Sequence, residues 1–169
     1  MDTTALLTDA FTRVNGEVHS ALRGIKKKHL NEQIDPAANS LSWLIWHLTR
    51  VQDDHLADAA GAEQVWHAQK FAVGFGLPMP SDYTGFGHEP EGVAAVRVDS
   101  PKPLLEYHDA VHEQTLNYLD TLTARSLDRI VDDAWDPPVS LGVRLVSVLG
   151  DTMQHAGQAA FLRGVLERR

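Results

Sequence analysis

The sequence predicts an all-α protein, a four-helix bundle, and three observations carry that prediction. Four long segments place apolar residues at spacings of three and four, residues with capping chemistry bound them, and polar or Gly- and Pro-containing connections join them. The first helix starts after Asp2 or Thr3, whose side chains can accept first-turn amides, and runs through Leu7, Phe11, Val14, Val18, Leu22 and Ile25 to about His29. The second follows Asn39 and Ser40, both natural N-caps, and stops at Gly61. Its core stripe is Leu41, Leu44, Ile45, Leu48, Gln52, His55, Leu56 and Ala59. Trp43, His47, Arg50 and Asp54 share an adjoining face, and a Trp among ionisable groups suits a polar-lined cleft better than open surface. The third helix opens on Ser100 as cap with Pro101 at its first position, and buries Leu104, His108, Val111, Thr115, Leu119 and Leu122. The fourth is capped by Ser140, reaches Arg169, and carries the stripe Leu145, Leu149, Thr152, Ala156 and Ala160.

The connection between the second and third helices is long and irregular. Within it Phe71–His88 is dense in Gly, Pro and aromatic residues, which reads as an ordered loop with apolar anchors; Phe71, Phe75, Tyr83 and Phe86 are candidates for a pocket mouth. The connection Ala124–Val139 is expected to hold a brief extended piece, with Trp135 anchored on the core. The chain, 1–169, reads as one domain, large enough for a core without covalent staples. A net charge of -8 argues against a nucleic-acid partner, whose phosphates are bound by clustered Lys and Arg. The one basic run, Lys26–Lys28, is expected at a helix C-terminus, where it complements the helix dipole. The absence of Cys excludes disulfides, thiolate zinc sites and a protein thiol nucleophile, so any sulfur chemistry must bring its thiol in. Neither a secretory leader nor a membrane-length apolar run is visible, and the expected compartment is the cytoplasm.

Two pairs have ligand-type spacing. Asp151 and His155 lie four apart at the edge of the last helix's stripe, so a carboxylate oxygen and an imidazole nitrogen can converge on one cation. His108 and His112 have the same spacing on the third helix, and spacing alone does not choose between the pairs. A third ligand must come from another helix, and His47 is the candidate. The plain alternative is that Asp151 and His155 bond only to each other or to nearby backbone. The di-iron version of a helical bundle is excluded, since it needs two Glu-x-x-His motifs and the chain has none.

The segments Asn39–His55 (NSLSWLIWHLTRVQDDH), Trp135–Pro138 (WDPP) and Gln154–Gly164 (QHAGQAAFLRG) together resemble the DinB/YfiT-like superfamily, in particular its actinobacterial members. The resemblance covers nearly the whole chain in order. It implies a four-helix bundle, often a homodimer, in which one histidine of the second helix and a pair four apart on the last helix hold a divalent metal. Carried over by position, the ligands are His47, Asp151 and His155. Many members have histidine where this chain has Asp151, whereas the related mycothiol-dependent maleylpyruvate isomerases are similar in placing a carboxylate there. Two imidazoles and a carboxylate suit Zn, and also Ni, Fe or Mn. Three protein ligands leave a coordination position open, as in a catalytic site. The resemblance implies that mycothiol or a similar small thiol enters as cosubstrate and attacks a small electrophile, in an S-transferase or thiol-dependent isomerase. A hydrolase using the same trio, and a bundle that only binds metal or ligand, are the alternatives. Gln158, one turn after His155, is expected to orient a ligand or contact substrate. Arg50 and Asp54 are expected to assist from beyond His47, with a solvated ion pair between them as the rival role. His108 is the spare imidazole for proton transfer.

Overall fold

The computed structural model describes residues 2–169, and its architecture is an all-α bundle of four long helices. These are α1 (Thr3–Leu22), α3 (Leu41–Ala60), α7 (Lys102–Asp120) and α8 (Leu141–Glu167), with short helices α2 (Lys27–Leu30), α4 (Val65–Ala68), α5 (Phe71–Phe75) and α6 (Pro90–Ala95) in the connections. Both α1 and α3 pack on α7 and α8, which sets α1 and α3 across the bundle from each other. The contact between α3 and α8 is the most extensive, and the candidate site lies there.

Capping explains three of the four long-helix starts and the end of α3. Asp2 accepts from the Ala5 amide at 2.8 Å, Ser40 from Trp43 at 3.1 Å, and Ser140 from Val143 at 3.4 Å, each satisfying an otherwise unpaired first-turn donor. Gly61 ends α3 with φ at 64°, a left-handed conformation that costs Gly little. Three expectations fail. The first helix stops at Leu22 instead of near His29, because Gly24 turns the chain at φ 68° and a separate turn, α2, follows. Lys27 and Lys28 therefore begin a helix instead of closing one, and His29 is buried. Ser100 makes no cap bond; α7 begins after Pro101, whose fixed φ suits the first turn.

Core positions follow the predicted periodicity on α1, α3 and α7, with Tyr107 added on α7. On α8 the buried row is Leu141, Leu145, Val148, Thr152, Ala156, Ala159, Leu162 and Leu166, while Ala160 is exposed. Every residue of α3 from Leu41 to Asp53 is buried, because the long connection covers the side that α7 and α8 leave open. The last connection contains a 3-10 turn (Ala124–Asp128) and a two-stranded antiparallel sheet, β1 (Ile130–Asp132) with β2 (Val139–Ser140). Trp135 is 67% exposed and does not anchor that segment on the core. No helix among the described residues is long and apolar enough to cross a membrane.

Candidate metal centre

α3 supplies His47, and α8 supplies Asp151 and His155 one turn apart on the face turned toward α3. One ligand atom from each side chain can be chosen so that all three lie within 4.8 Å of one another. Among the described residues this is the one group of three or more such side chains; His108 and His112 gain no third member. His155 Nε2 lies 3.6 Å from Asp151 Oδ1. The other carboxylate oxygen, Asp151 Oδ2, is buried and has no hydrogen-bond partner among the described residues. Leaving a buried acceptor unpaired costs on the order of 1–3 kcal/mol, more for a charged one. A bound cation would remove that cost, so the trio fits a metal.

The imidazoles are already oriented for such a role. His47 Nδ1 lies 2.6 Å from the Thr84 carbonyl oxygen, and His155 Nδ1 lies 2.8 Å from Gln158 Oε1. Both partners are oxygen acceptors, so each Nδ1 carries the proton, and a neutral ring then offers its Nε2 lone pair. Trp43 fixes both rings further, stacked on His47 at 4.5 Å between centroids and edge-on to His155 at 6.0 Å. Behind His47 the backbone of Gly85 approaches so closely that a Cβ there would lie 2.7 Å from Nδ1. Gly85 also has φ at 94°, so neither its space nor its conformation admits a side chain.

Electrostatics separates the three side chains. Burial pushes His47 down, with the Thr84 carbonyl opposing and the charges of His155, Asp151 and His88 adding smaller effects. His155 is held up, first by the Asp151 carboxylate 3.6 Å from its Nε2, which favours the charged ring. Burial alone would raise Asp151, but the adjacent His155 ring and the charges of His47 and His55 together leave it below the usual carboxylate range.

The remaining predicted residues take varied positions. Gln158 is beside His155, as described. Arg50 is fully buried and donates to the Tyr83 carbonyl at 3.2 Å, to Gln64 Oε1 at 2.9 Å and to the Tyr107 hydroxyl at 3.2 Å. Its ion-pair partner is Asp53, 3.6 Å away, and not Asp54. Asp54 accepts from Gln64 Nε2 at 2.7 Å at the half-exposed end of the same network. His108 is buried between α3 and α7, with Nδ1 3.0 Å from the Thr49 hydroxyl. Its charged neighbours are His112, Asp109 and His19, so it stands apart from the trio. Phe71 and Phe75 pack on Tyr107, while Tyr83 and Phe86 are exposed.

Polar donors from the bundle hold the loop before α6 together with apolar anchors, Leu77 and Met79, that pack on the core. Trp66 Nε1 donates to the Ser81 carbonyl at 2.8 Å, and Arg50 and His47 contact the carbonyls of Tyr83 and Thr84. Trp43 Nε1 donates to His88 Nδ1 at 3.2 Å. Asp53 secures the start of the connection by accepting the amides of Val65 and Trp66, the first two of α4, at 2.9 and 2.8 Å. Thr84, Gly85, His88 and Asp53 are the residues that periodicity did not single out. The one visible signal was the Gly- and aromatic-rich composition of the loop.

Residues 6–168 match the family described as Mycothiol-S-transferase. The chain is also similar to a solved structure, the conserved protein of a locus from Enterococcus faecalis, with 29% identity and a TM-score of 0.93 over 100% of this chain and 99% of that one. A search of curated proteins gives no match. With the match spanning nearly its whole length, the chain belongs to the mycothiol S-transferase family.

Proposed function

We propose that this protein is a metal-dependent S-transferase that joins a low-molecular-weight thiol of the mycothiol type to a small electrophile, in a detoxifying role. The observation that carries the reading is the convergence of two pre-oriented imidazoles with a carboxylate, one of whose oxygens is buried and unpartnered. Nε2 of His47, Nε2 of His155 and a carboxylate oxygen of Asp151 would hold the ion, and the donor set favours Zn, with Ni, Fe or Mn also accommodated. When bound, such an ion supplies Lewis acidity that stabilises a thiolate at neutral pH. The chain's own residues do the rest. Thr84 and Gln158 keep the Nδ1 protons in place, and Trp43 excludes water from one side of the ligands. In the transfer, sulfur forms a bond to the electrophilic carbon, either a leaving group departs with its bonding pair or a conjugated π pair is displaced and takes a proton from solvent, and the thiol proton passes to solvent. The absence of Cys leaves no protein thiol to compete.

The test is metal analysis of untagged protein followed by turnover of benzyl chloride with and without mycothiol. About one metal per chain is expected, falling sharply in His47→Ala and His155→Ala together with thiol-dependent turnover. Unchanged metal content in both variants would remove the site. Metal loss with no thiol-dependent turnover in the wild type would leave only a stabilising ion.

We also infer a homodimer formed through α8. Val143, Val146, Gly150, Met153, Gly157, Ala160 and Gly164 recur at alternating spacings of three and four, the seam of a packed helix pair. Val146 and Met153 are 64% and 57% exposed, and Leu6 of α1 continues the apolar face. A Cβ on Gly150 or Gly157 would meet nothing within 4 Å, so a second helix can approach closely there. Light scattering should give twice the chain mass, and Gly157→Glu should give a monomer.

A further inference from the structure

The long connection delivers a fourth imidazole, His88, to Trp43, the indole that also packs on the rings of the candidate metal centre, and its charge is felt at His47. Three contacts fix its ring. Trp43 Nε1 donates to Nδ1 at 3.2 Å, the ring stacks on Trp46 at 5.9 Å between centroids, and Gly92 backs it so closely that a Cβ there would lie 3.0 Å from His88 Cγ. The indole that holds His88 is the same Trp43 that stacks on His47 and meets His155 edge-on. One side chain therefore touches both metal-type imidazoles and the fourth one.

The chemistry of these contacts settles the tautomer. An indole N–H only donates, so His88 Nδ1 must present its lone pair, and the proton of the neutral ring is on Nε2. This is the reverse of His47 and His155, whose Nδ1 atoms face oxygen acceptors. Adding a proton at Nδ1 would set it against the Trp43 N–H. His88 is thus a neutral donor and not a proton-transfer acid. Its Nε2 makes no bond within the described residues and is not enclosed, unlike the buried unpaired nitrogens of His29, His108 and His112.

We propose that His88 is a substrate-contacting residue of this site, whose Nε2–H donates to a carbonyl oxygen of the electrophile. The inference rests on the S-transferase reading and deepens it by naming a substrate class, electrophiles in which a carbonyl is conjugated to the reacting carbon. When a thiol adds to such an enone, the S–C bond forms at the β-carbon, the C=C π pair shifts to join the α-carbon to the carbonyl carbon, and the C=O π pair moves onto oxygen, giving an enolate. The α-carbon then takes a proton from solvent, and the thiol's proton is released to solvent. A fixed neutral donor at that oxygen stabilises the charge as it develops and needs no reorganisation to do so.

Two substitutions separate this role from simple packing. His88→Asn retains an acceptor for Trp43 and removes the outer donor, whereas His88→Gln restores an outer N–H. Mycothiol is supplied as the thiol with either 2-cyclohexenone, which has the carbonyl, or benzyl chloride, which has none. For His88→Asn we expect unchanged metal content, a drop of roughly tenfold in kcat/KM for cyclohexenone, the scale of one lost hydrogen bond, and no change for benzyl chloride. His88→Gln should recover part of the loss. Equal losses on both substrates, or none on either, would overturn the assignment. A second readout does not need turnover. Long-range proton–nitrogen correlation on the metal-loaded protein should show His88 protonated at Nε2 and shifted by unreactive cyclohexanone. An Nδ1–H tautomer, or no shift, would overturn the proposal even if no thiol were turned over; absent turnover with the shift present would instead remove the transferase reading.

Discussion

Gly85 is the residue whose side-chain absence matters most to the site. A methyl group there would press on His47 Nδ1 and on Trp46, and it would require a left-handed backbone of an L residue. Gly85→Ala is therefore expected to keep the bundle but displace the Thr84 carbonyl from His47. Loss of such an outer partner typically lowers metal affinity by about 10- to 100-fold, and titration with Zn against a competing chelator measures it. An unchanged affinity would mean that the Thr84–Gly85 turn does not orient the ligand. His108 makes a different prediction. Burial is the main cause that pushes its pKa down to about 3, with the His112 charge adding. The fold therefore favours the neutral ring, and the unfolded chain takes up the proton first as pH falls below about 6.5. Stability from this residue is fully present above that value and is lost as pH falls toward 3. The loss is about 2 kcal/mol between pH 7 and 5 by linkage. His108→Asn should flatten that part of the pH dependence of urea unfolding; an equal slope in both proteins would refute it.

The long connection is held as an element by charges placed one and nearly two turns beyond the metal-type histidine on α3. Arg50 and Asp53 are both buried, and between them they bind Tyr83, Gln64, Tyr107, Val65 and Trp66. Arg50 also lies 5.0 Å from the centre of the Trp66 ring. Removing one partner leaves the other charge buried and uncompensated, so Arg50→Met is expected to cost about 3–5 kcal/mol in urea unfolding. Adding Asp53→Asn should cost less than its effect alone, because the two act as a unit; simple additivity would contradict the coupling. This network also shows where sequence reading ends. The caps Asp2, Ser40 and Ser140 and the stop at Gly61 were legible because capping is local. The trio of His47, Asp151 and His155, which lies together, was pointed to by the family resemblance, since spacing alone left His108 and His112 as rivals. Which of the adjacent Asp53 and Asp54 turned inward was not legible, since they differ by about 100° around the helix and the deciding contacts come from α4. His88 was hidden for the same reason: it reaches Trp43 across a connection without a period.

At the scale of the molecule, the candidate ligands join the two helices with the most extensive contact in the bundle. A ligand bound only by the folded state stabilises it by mass action, about 2.7 kcal/mol at a concentration one hundred times Kd. Chelation should accordingly lower the Tm of the wild type and leave that of His47→Ala nearly unchanged; equal shifts would mean the metal binds elsewhere. The exposed seam on α8 lies on the side of that helix away from its buried row, so dimer formation is compatible with an open site. Light scattering of Gly157→Glu and metal analysis of the same variant should therefore respond independently.

The most direct test is a crystal of the zinc-loaded protein, measured on both sides of the zinc absorption edge. An anomalous peak about 2.0–2.2 Å from Nε2 of His47, Nε2 of His155 and a carboxylate oxygen of Asp151 is the expected result. A peak beside His108 and His112, or none between α3 and α8, would contradict the account.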